Sequence, residues 1–316
     1  MDAVTAFAPA TVSNVACGFD VLGFALGSPG DEVTARLAER GGVTIEAIEG
    51  DGGRLPRDAD KNTAGVAARA LLTAVGDRRS VVLSIRKGLP LASGLGGSAA
   101  SAVAAAVAVD ALVGARAPLD TLLACALEGE HLGAGSAHAD NVAPSLYGGF
   151  VLVRRARPPD VVRLPVPAAV TAVVVHPDLE IETAQARALL GTTVPLADAI
   201  QQWANLGALV HGLHCGDFAL IARALEDTIA EPRRARLVPG LAAIKQAAAD
   251  AGALGCSLSG SGPSLFALCA DGATAAHVAS AMTDAVRRAI GGEPQTYVSP
   301  IAPRGARVVA HDRCVS

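Results

Sequence analysis

The sequence contains few aromatic residues. Phe, Trp and Tyr together make up 3% of its 316 residues, whereas hydrophobic residues as a whole make up 51%. The core must therefore consist mainly of Ala, Val and Leu, and side chains this small let helices pack closely together. A chain of this length exceeds the usual size of one hydrophobic core, so we expect two domains.

The sequence also lacks a strong charge, paired cysteines and a long apolar segment. Its formal net charge of -4 gives no attraction to nucleic acid or to an anionic membrane, and we expect neither as a partner. The six cysteines form no CxxC pair, which indicates reduced thiols and predicts a cytoplasmic location. The longest apolar run, residues 101–114, is interrupted by Asp110, so no membrane span is predicted.

Strand and helix patterns alternate along the chain, which predicts a mixed α and β protein. Residues 80–88 form a β-branched run that is typical of a strand. Residues 98–113 favour a helix, with Ser98 as its N-cap residue. Trp203, the single tryptophan, lies within a later predicted helix and is expected in the core.

The best candidate for a domain junction is the segment at residues 155–167. It follows a predicted strand at residues 149–155 and combines charged residues with four prolines, a composition that interrupts helices and sheets. We therefore place the boundary near residue 160. The predicted domains are residues 1–160 and 161–316.

The segment PLASGLGGSAAS, at residues 90–101, lies between the predicted strand and the alanine-rich helix. Glycines let a ligand approach the backbone, and a helix start supplies free N–H groups with partial positive charge, so the segment is suited to binding an anion. The chain has no GxxxxGK[ST] sequence, which excludes a Walker loop. Gly94, Gly96 and Ala99 fit GxGxxA, but five residues separate them from the strand, so a dinucleotide site is poorly supported.

The same segment resembles the nucleotide-binding loop of the GHMP kinases, PxxxGLGSSAA. The matching residues are Pro90, Gly94, Leu95, Gly96, Ser98, Ala99 and Ala100. Gly97 departs from the pattern, because most members have a serine at that position. GHMP kinases phosphorylate hydroxyl groups of small metabolites, so the resemblance predicts an ATP-dependent kinase.

Four other segments extend the resemblance, mainly to one branch of that family, the homoserine kinases. APATVSNVACGFDVLGFAL, at residues 8–26, is similar to their N-terminal motif, with Cys17 in place of the usual proline. HADNVAPSLYGGF at residues 138–150 and EPRRARLVPG at residues 231–240 are also similar to homoserine kinases. SLSGSGPSLFAL, at residues 257–268, resembles the third GHMP motif. The matches follow in order and span nearly the whole chain.

The resemblance implies an α+β fold made of two GHMP kinase domains. The N-terminal half is expected to be like ribosomal protein S5 domain 2, with a left-handed β-α-β crossover, and the C-terminal half is expected to be ferredoxin-like. The implied reaction uses ATP and Mg²⁺ to phosphorylate the hydroxyl of L-homoserine, forming O-phospho-L-homoserine for threonine biosynthesis. Relatives are often homodimers, so a homodimer is a further expectation.

Two alternatives to this function stay open at the level of sequence. One is a GHMP kinase that acts on another small alcohol or sugar. The other is a catalytically silent binding protein built on the same scaffold. The departures from the family motifs at Cys17 and Gly97 give this alternative some support.

The nucleotide site implied by the resemblance is centred on the glycine-rich loop, which we define as residues 90–98. The backbone N–H groups of residues 93–98 are expected to hold the phosphates, while Ser98 and Glu130 hold Mg²⁺. Glu128 is an open alternative to Glu130. The expected nucleotide-binding residues are Asn62, Lys87, Pro90, Leu91, Ala92, Ser93, Gly94, Leu95, Gly96, Gly97, Ser98, Ala99 and Ala100.

An amino-acid substrate requires a cation for its carboxylate and an anion or carbonyl for its ammonium group. By resemblance, Arg187 and Arg234 bind the carboxylate and Asp20 binds the ammonium group. Thr183 lies one helical turn from Arg187 and faces the same way. The expected substrate-binding residues are Asn14, Asp20, Asn141, Thr183, Arg187 and Arg234.

The residues expected to contribute to catalysis are Asn14, Asn141, Ser98 and Glu130. Some GHMP kinases place an aspartate beside the acceptor hydroxyl, but the matching residue here is Asn141, which cannot take a proton. A loose transition state demands little of the nucleophile, so we expect phosphoryl transfer without a protein base. Asp20 and Asp140 are the alternatives if a base exists.

Overall fold

The computed structural model describes residues 3–134 and 138–312. Within these residues the chain forms two β-sheets, one of seven strands and one of four, with helices packed against them. This is the α+β class predicted from the sequence. Among the described residues, no helix combines the length and the hydropathy that a bilayer crossing needs.

The seven-stranded sheet is built mostly from the first half of the chain. Its strands, numbered in chain order, are β1 (Ala3–Ser13), β2 (Leu22–Ala38), β3 (Val43–Glu49), β4 (Ser80–Arg86), β5 (Phe150–Arg155), β6 (Asp160–Leu164) and β11 (Arg307–Asp312). The order is β11-β1-β2-β4-β3, and β5 pairs with both β2 and β6. Strands β3 and β4 run parallel, while the other pairs are antiparallel.

Four helices pack on this sheet and on one another. They are α1 (Thr63–Ala74), α2 (Gly97–Val113), α3 (Leu119–Ala134) and α4 (Ala139–Tyr147). Helix α1 connects the parallel strands β3 and β4, which makes a β-α-β unit. Helix α2 is buried on most of its surface, because alanines and valines surround its axis and a helix that is apolar on every side must lie in the core.

Helix α2 starts one residue earlier than its sequence suggests. Its N-cap residue is Gly96, whose φ of 67° is left-handed, and Ser98 lies within the first turn. The prediction of Ser98 as the N-cap was wrong because a glycine takes the left-handed turn that joins the loop to the helix. Ser98 is therefore presented on the exposed side of the helix start.

The four-stranded sheet belongs to the second half of the chain. Its strands are β7 (Thr171–His176), β8 (Gly255–Leu258), β9 (Leu265–Cys269) and β10 (Gln295–Pro300), in the antiparallel order β10-β7-β9-β8. In chain order this is fourth, first, third, second, which is the strand order of a ferredoxin-like sheet. The helices are α5 (Thr183–Ala188), α6 (Leu196–Cys215), α7 (Phe218–Ala224), α8 (Ala230–Arg234), α9 (Leu241–Asp250) and α10 (Gly272–Ala289).

The two sheets do not divide the chain at one point. Strand β6 lies in the proline-rich segment at residues 155–167 and pairs with β5 in the first sheet. Strand β11, near the end of the described chain, returns to pair with β1. The division near residue 160 therefore stays a prediction for the domains as units, because the sheets exchange segments on both sides of it.

Three phenylalanines form the main aromatic contact between the sheets. Phe24 of β2 lies 5.4 Å from Phe150 of β5 and 6.0 Å from Phe266 of β9, measured between ring centroids. All three rings are almost fully buried. Because the third ring belongs to the other sheet, the few aromatic residues of this chain help to fasten its two halves together.

Trp203 is not a core residue, so that prediction was wrong. The residue is 62% exposed, and Leu196 and Ile200 are exposed on the same face of α6. The helix is buried through its opposite side, which includes Gln202, Asn205 and Leu209. A single large apolar side chain on a helix does not reveal which face of that helix packs inward.

Candidate active site

A cleft of about 600 Å³ opens where the two halves of the chain meet. Most of the predicted site residues line it. They are Asn14, Asp20, Asn62, Lys87, Pro90, Leu91, Ala92, Ser93, Gly94, Gly96, Gly97, Ser98, Glu130, Asn141, Thr183, Arg187 and Arg234. A volume of this size matches the clefts that bind small molecules.

Three predicted nucleotide-binding residues do not line the cleft. Leu95, Ala99 and Ala100 are fully buried, and their side chains lie in the hydrophobic core. The backbone N–H of Ala100 donates to Gly96 O within the helix. These residues of the motif anchor the loop and the start of α2 in the core, and their side chains cannot reach a ligand in the cleft.

Two glycines of the glycine-rich loop lie in close contact with neighbouring segments, Gly94 with a backbone carbonyl and Gly96 with a side-chain hydroxyl. A Cβ atom on Gly94 would lie 2.5 Å from Ser259 O, and one on Gly96 would lie 2.2 Å from Thr11 Oγ1. Both glycines have positive φ, 76° and 67°. Gly97 is different, because a Cβ atom there would meet nothing closer than Lys87 Nζ at 3.6 Å. Gly94 and Gly96 are therefore required by the structure, whereas Gly97 is not.

The third motif, residues 257–268, packs directly on this loop. Ser259 Oγ donates a hydrogen bond of 2.7 Å to Gly94 O, and Ser264 N donates one of 3.2 Å to Ser93 O. The turn that carries Ser259 belongs to the second sheet, while the loop belongs to the first half of the chain. These bonds fix the loop relative to the C-terminal half.

Asn62 lines the cleft while also capping a helix. Its Oδ1 accepts a hydrogen bond of 3.0 Å from Ala64 N at the start of α1, and its Nδ2 donates one of 2.9 Å to Pro56 O. A side-chain amide has a second N–H and a second acceptor lone pair. Asn62 therefore retains one N–H donor and one acceptor lone pair for a contact with a nucleotide base.

Glu130 is the acidic residue that faces the cleft from α3. It is 3% exposed, and its Oε2 has no hydrogen-bond partner among the described residues. Its Oε1 lies 3.5 Å from His138 Nδ1. Glu128 does not line the cleft, and it pairs with Arg157 at 3.0 Å on the surface. Of the two glutamates, only Glu130 presents a carboxylate oxygen to a cation in the cleft.

The donor set of the cleft fits Mg²⁺ better than a fully protein-bound metal. Among the described residues, no group of three or more His, Cys, Asp or Glu side chains is arranged to hold an ion. Mg²⁺ is usually held by one or two protein oxygens together with phosphates and water. The buried, unpartnered Oε2 of Glu130 and the exposed hydroxyl of Ser98 at the helix start suit that pattern.

The loop between β1 and β2 carries an unusual backbone. Asn14, Val15, Ala16 and Asp20 all have positive φ, between 42° and 67°. Such conformations persist only when surrounding contacts impose them. Asn14 supplies these contacts, because its Oδ1 accepts from Asp20 N at 3.0 Å and its Nδ2 donates to Gly260 O at 2.8 Å.

Asp20 is presented by that loop to an arginine from the second half of the chain. Arg187 of α5 donates two hydrogen bonds to the Asp20 carboxylate, of 3.0 and 2.6 Å. The hydrogen bonds to Asp20 raise the pKa of Arg187 further above its ordinary value. Thr183, one turn earlier, lies with its Oγ1 3.5 Å from Ser261 Oγ.

Arg234 approaches the same point from α8 and is 3% exposed. Burial lowers the pKa of its guanidinium, although the negative charge of Asp20 opposes that effect. Its Nη1 donates to Gly260 O at 3.0 Å. The Phe19 ring lies 5.4 Å from Arg187 Cζ and 5.3 Å from Arg234 Cζ, a distance at which an aromatic face attracts a cation.

Asn141 and Asp140 begin α4 at the base of the cleft. Asn141 Oδ1 accepts a hydrogen bond of 2.9 Å from Thr11 Oγ1. Asp140 is 1% exposed, and its Oδ1 has no partner among the described residues. Burial first, and then the charge of Asp20, raise the pKa of the Asp140 carboxyl well above its ordinary value.

Several cleft residues were not predicted from the sequence. They are Ser13, Arg54, Leu55, Pro56, Lys61, Thr63, Ile85, Ser101, His138, Glu182, Gly260 and Ser261. Asp140, the alternative base named from the sequence, also lines the cleft. His138, Gly260 and Ser261 fall within matched motifs, so their position beside assigned residues was a usable signal. Arg54 lies in a segment without a motif, and it reaches the cleft because it pairs with Glu180 across the two halves.

Comparison with known proteins identifies the family. Residues 62–149 match the model of the GHMP kinases N terminal domain, and residues 197–288 match that of the GHMP kinases C terminal domain. The crystal structure of homoserine kinase from Cytophaga hutchinsonii superposes with a TM-score of 0.95 at 49% identity, covering 98% of each chain. The chain belongs to the GHMP kinase family, and the predicted two-domain fold is confirmed.

Curated relatives define the branch of the family. Homoserine kinase from Chlorobaculum tepidum is 46% identical over 98% of this chain and 99% of its own length. Homoserine kinase from Xanthomonas campestris is 44% identical, covering 96% of this chain and 94% of its own. Within the GHMP kinases, the chain belongs to the homoserine kinases. A galactokinase structure from Lactococcus lactis, at 15% identity and a TM-score of 0.62, shares the fold alone.

The geometry of the glycine-rich loop predicts different outcomes for two neighbouring substitutions. Gly94→Ala should lower kcat/KM for ATP about 100-fold, because a new Cβ meets backbone oxygens and small displacements of catalytic groups are costly. Gly97→Ala, the matched control, should stay within about twofold of the wild type, since its Cβ has room. Steady-state kinetics and thermal melting of both variants test this. A Gly94→Ala enzyme with wild-type kinetics would contradict the assignment.

Proposed function

We propose that the protein transfers the γ-phosphoryl group of ATP to the side-chain hydroxyl of L-homoserine. The bond between the β,γ-bridging oxygen and the γ-phosphorus breaks, a bond forms between that phosphorus and the hydroxyl oxygen, and ADP and O-phospho-L-homoserine leave. The observation that carries the proposal is one cleft lined by both an anion-binding loop and the Asp20, Arg187 and Arg234 cluster. Membership of the homoserine kinases supports it independently.

The triphosphate of ATP is assigned to the glycine-rich loop and the start of α2. The first turn of a helix has unpaired N–H groups and about half a positive charge, which together favour phosphate. The left-handed turns at Gly94 and Gly96 bring the backbone to the wall of the cleft. Glu130 and Ser98 would hold Mg²⁺, which would supply positive charge to balance the phosphates.

The amino-acid end of homoserine is assigned to the cluster of Asp20, Arg187 and Arg234. Asp20 and Arg187 satisfy each other through two hydrogen bonds. A zwitterion brings one ammonium group and one carboxylate, so it can take over both partners while the charge of the cluster stays balanced. Arg234 supplies a second guanidinium for the carboxylate, and mevalonate or a sugar lacks the ammonium group that Asp20 requires.

The acceptor hydroxyl is assigned to the region of Asn14 and Asn141. Neither side chain can accept the hydroxyl proton as a base. Asp140 lies next to Asn141, and burial and the charge of Asp20 raise its pKa to about 7, so it stays the alternative base. Because a loose transition state demands little of the nucleophile, we retain transfer without a protein base, in which the proton leaves late to a phosphate oxygen or to water. The homodimer and the cytoplasmic location stay predictions.

Substrate identity is tested by comparing ADP release with homoserine, mevalonate and galactose. Homoserine should be strongly preferred, and Arg234→Met should raise its KM about 10- to 100-fold because charge-assisted hydrogen bonds to the carboxylate are lost. Arg236→Met is the matched control, since Arg236 is exposed and lies outside the cleft. Absence of turnover with homoserine would reject the proposed function.

The metal assignment separates two glutamates that lie two residues apart. Glu130→Gln should raise the Mg²⁺ concentration needed for half-maximal activity about tenfold or more, because the substitution removes a charged ligand. Glu128→Gln removes an acid of the same helix that faces the surface, and should leave this concentration unchanged. Mg²⁺ titrations of the two purified variants provide the measurement. If Glu128→Gln raised the Mg²⁺ requirement and Glu130→Gln did not, the assignment of the metal to Glu130 would be contradicted.

Asp140→Asn tests whether the reaction uses a base. A well-placed base contributes roughly 10² to 10⁴ in rate. In the absence of one, kcat at saturating homoserine should stay within about tenfold of the wild type, and the main change should be in KM for homoserine. A loss of kcat by two orders of magnitude or more, with KM unchanged, would show that Asp140 accepts the proton.

A further inference from the structure

A buried ion pair lies directly beneath the glycine-rich loop. Asp31 of β2 is fully buried, and Lys87, which follows β4, is 8% exposed. The two side chains contact each other through Lys87 Nζ and Asp31 Oδ2. Ser101 of α2 completes a polar cluster that is otherwise surrounded by the apolar core of the first sheet.

Every hydrogen-bond donor of the Lys87 ammonium group already has an acceptor. Besides Asp31 Oδ2, the group donates to Gly97 O at 2.7 Å and to Ser101 Oγ at 2.8 Å. Ser101 Oγ in turn donates to Asp31 Oδ2 at 2.6 Å. An ammonium group has three N–H donors and no acceptor. With all three engaged, Lys87 has none left for a phosphate oxygen.

The cluster ties the start of α2 to two strands of the sheet. Asp31 Oδ1 accepts from Gly88 N at 3.0 Å, which fixes the chain just after Lys87. A Cβ atom on Gly88 would lie 2.1 Å from Gly30 O, so the backbones of the two strands are in contact there. Lys87 then reaches Gly97 O, the carbonyl of the first residue of α2. The position of the helix start is set through this chain of contacts.

Stability alone does not account for such a pair. Replacement of a buried ion pair by well-packed apolar residues is often neutral or stabilising, although removal of one partner is strongly destabilising. The cluster has a second, geometric consequence. Because it holds Gly97 O and Ser101 of α2, it fixes the position and direction of the N–H groups in the first turn of that helix.

We propose that Asp31 is a positioning residue for the nucleotide site. Through Lys87 and Ser101 it holds the first turn of α2 where the loop can bind a triphosphate, and Lys87 acts through this cluster and does not bind phosphate itself. The proposal rests on the proposed function only in taking the glycine-rich loop as the site of the triphosphate.

The test is a double-mutant cycle with Asp31→Asn, Lys87→Met and the double variant. The readout is the affinity for Mg²⁺ and a non-hydrolysable ATP analogue by calorimetry, together with KM for both substrates. Each single variant should bind the analogue about 100-fold more weakly, and the double variant should be no worse than the weaker single variant, because groups that act as a unit are not additive. KM for homoserine should stay within about twofold.

Two results would overturn the proposal. If Lys87 binds phosphate directly, Asp31→Asn frees its ammonium group, so the analogue binds equally well or more tightly while Lys87→Met alone weakens binding. If the cluster only stabilises the fold, the variants melt at lower temperature but their folded molecules bind the analogue normally. Glu46→Gln is the control, because the exposed pair of Arg36 on β2 and Glu46 on β3 belongs to the same sheet and lies outside the cleft.

Ser101→Ala keeps the proposal testable if the charged variants do not fold. It removes one hydroxyl and no charge, and should weaken analogue binding about fivefold, the effect of one hydrogen bond. An unchanged affinity of Ser101→Ala for the analogue would contradict the proposed role of the cluster in positioning α2. The binding measurement needs no acceptor substrate, so a wild-type protein that binds the analogue but does not phosphorylate homoserine would reject the proposed function while leaving this test intact.

Discussion

The close approach of two glycine-rich turns is the constraint on which the rest of the site depends. Gly94 in the first turn lies against the carbonyl groups of Ser259 and Gly262 in the second, at distances that leave no space for a side chain. One turn belongs to each half of the chain. Because they are joined backbone to backbone, the loop at the start of α2 and the arginines of the second half are held at the same cleft, as in-line transfer between two bound molecules requires.

The cleft also shows how a protein accommodates several charged side chains that are buried or half-buried close together. Asp20 and Arg187 pair with each other, Arg234 donates to backbone carbonyls and lies against Phe19, and burial favours a protonated Asp140. Each charge is therefore paired, lies against an aromatic face or, at Asp140, is disfavoured by burial. A zwitterionic substrate would replace these internal partners by equivalent ones, which would let such a site select an amino acid.

Motifs predicted the residues that line this cleft well where close approach or charge fixes the residue type, and poorly where packing decides. The glycine-rich loop and the arginines were placed in the cleft correctly, because close backbone approach demands glycine and the expected binding of a carboxylate demands a cation. Glu130 was preferred from the sequence, but Glu128 stayed an open alternative, because only the rotation of α3 shows which one faces the cleft. Trp203 was misplaced for the same reason, since the face that α6 buries depends on elements distant in sequence. Asp31 belongs to no motif, and it meets Lys87 only through the pairing of β2 with β4.

A crystal structure with Mg²⁺, a non-hydrolysable ATP analogue and L-homoserine tests the central claim most directly. The triphosphate should lie against the backbone of residues 93–98, the metal at Glu130, and the homoserine carboxylate at Arg187 and Arg234. The hydroxyl should then lie in line with the γ-phosphorus. A triphosphate bound away from the glycine-rich loop, or homoserine bound outside the cleft, would contradict it.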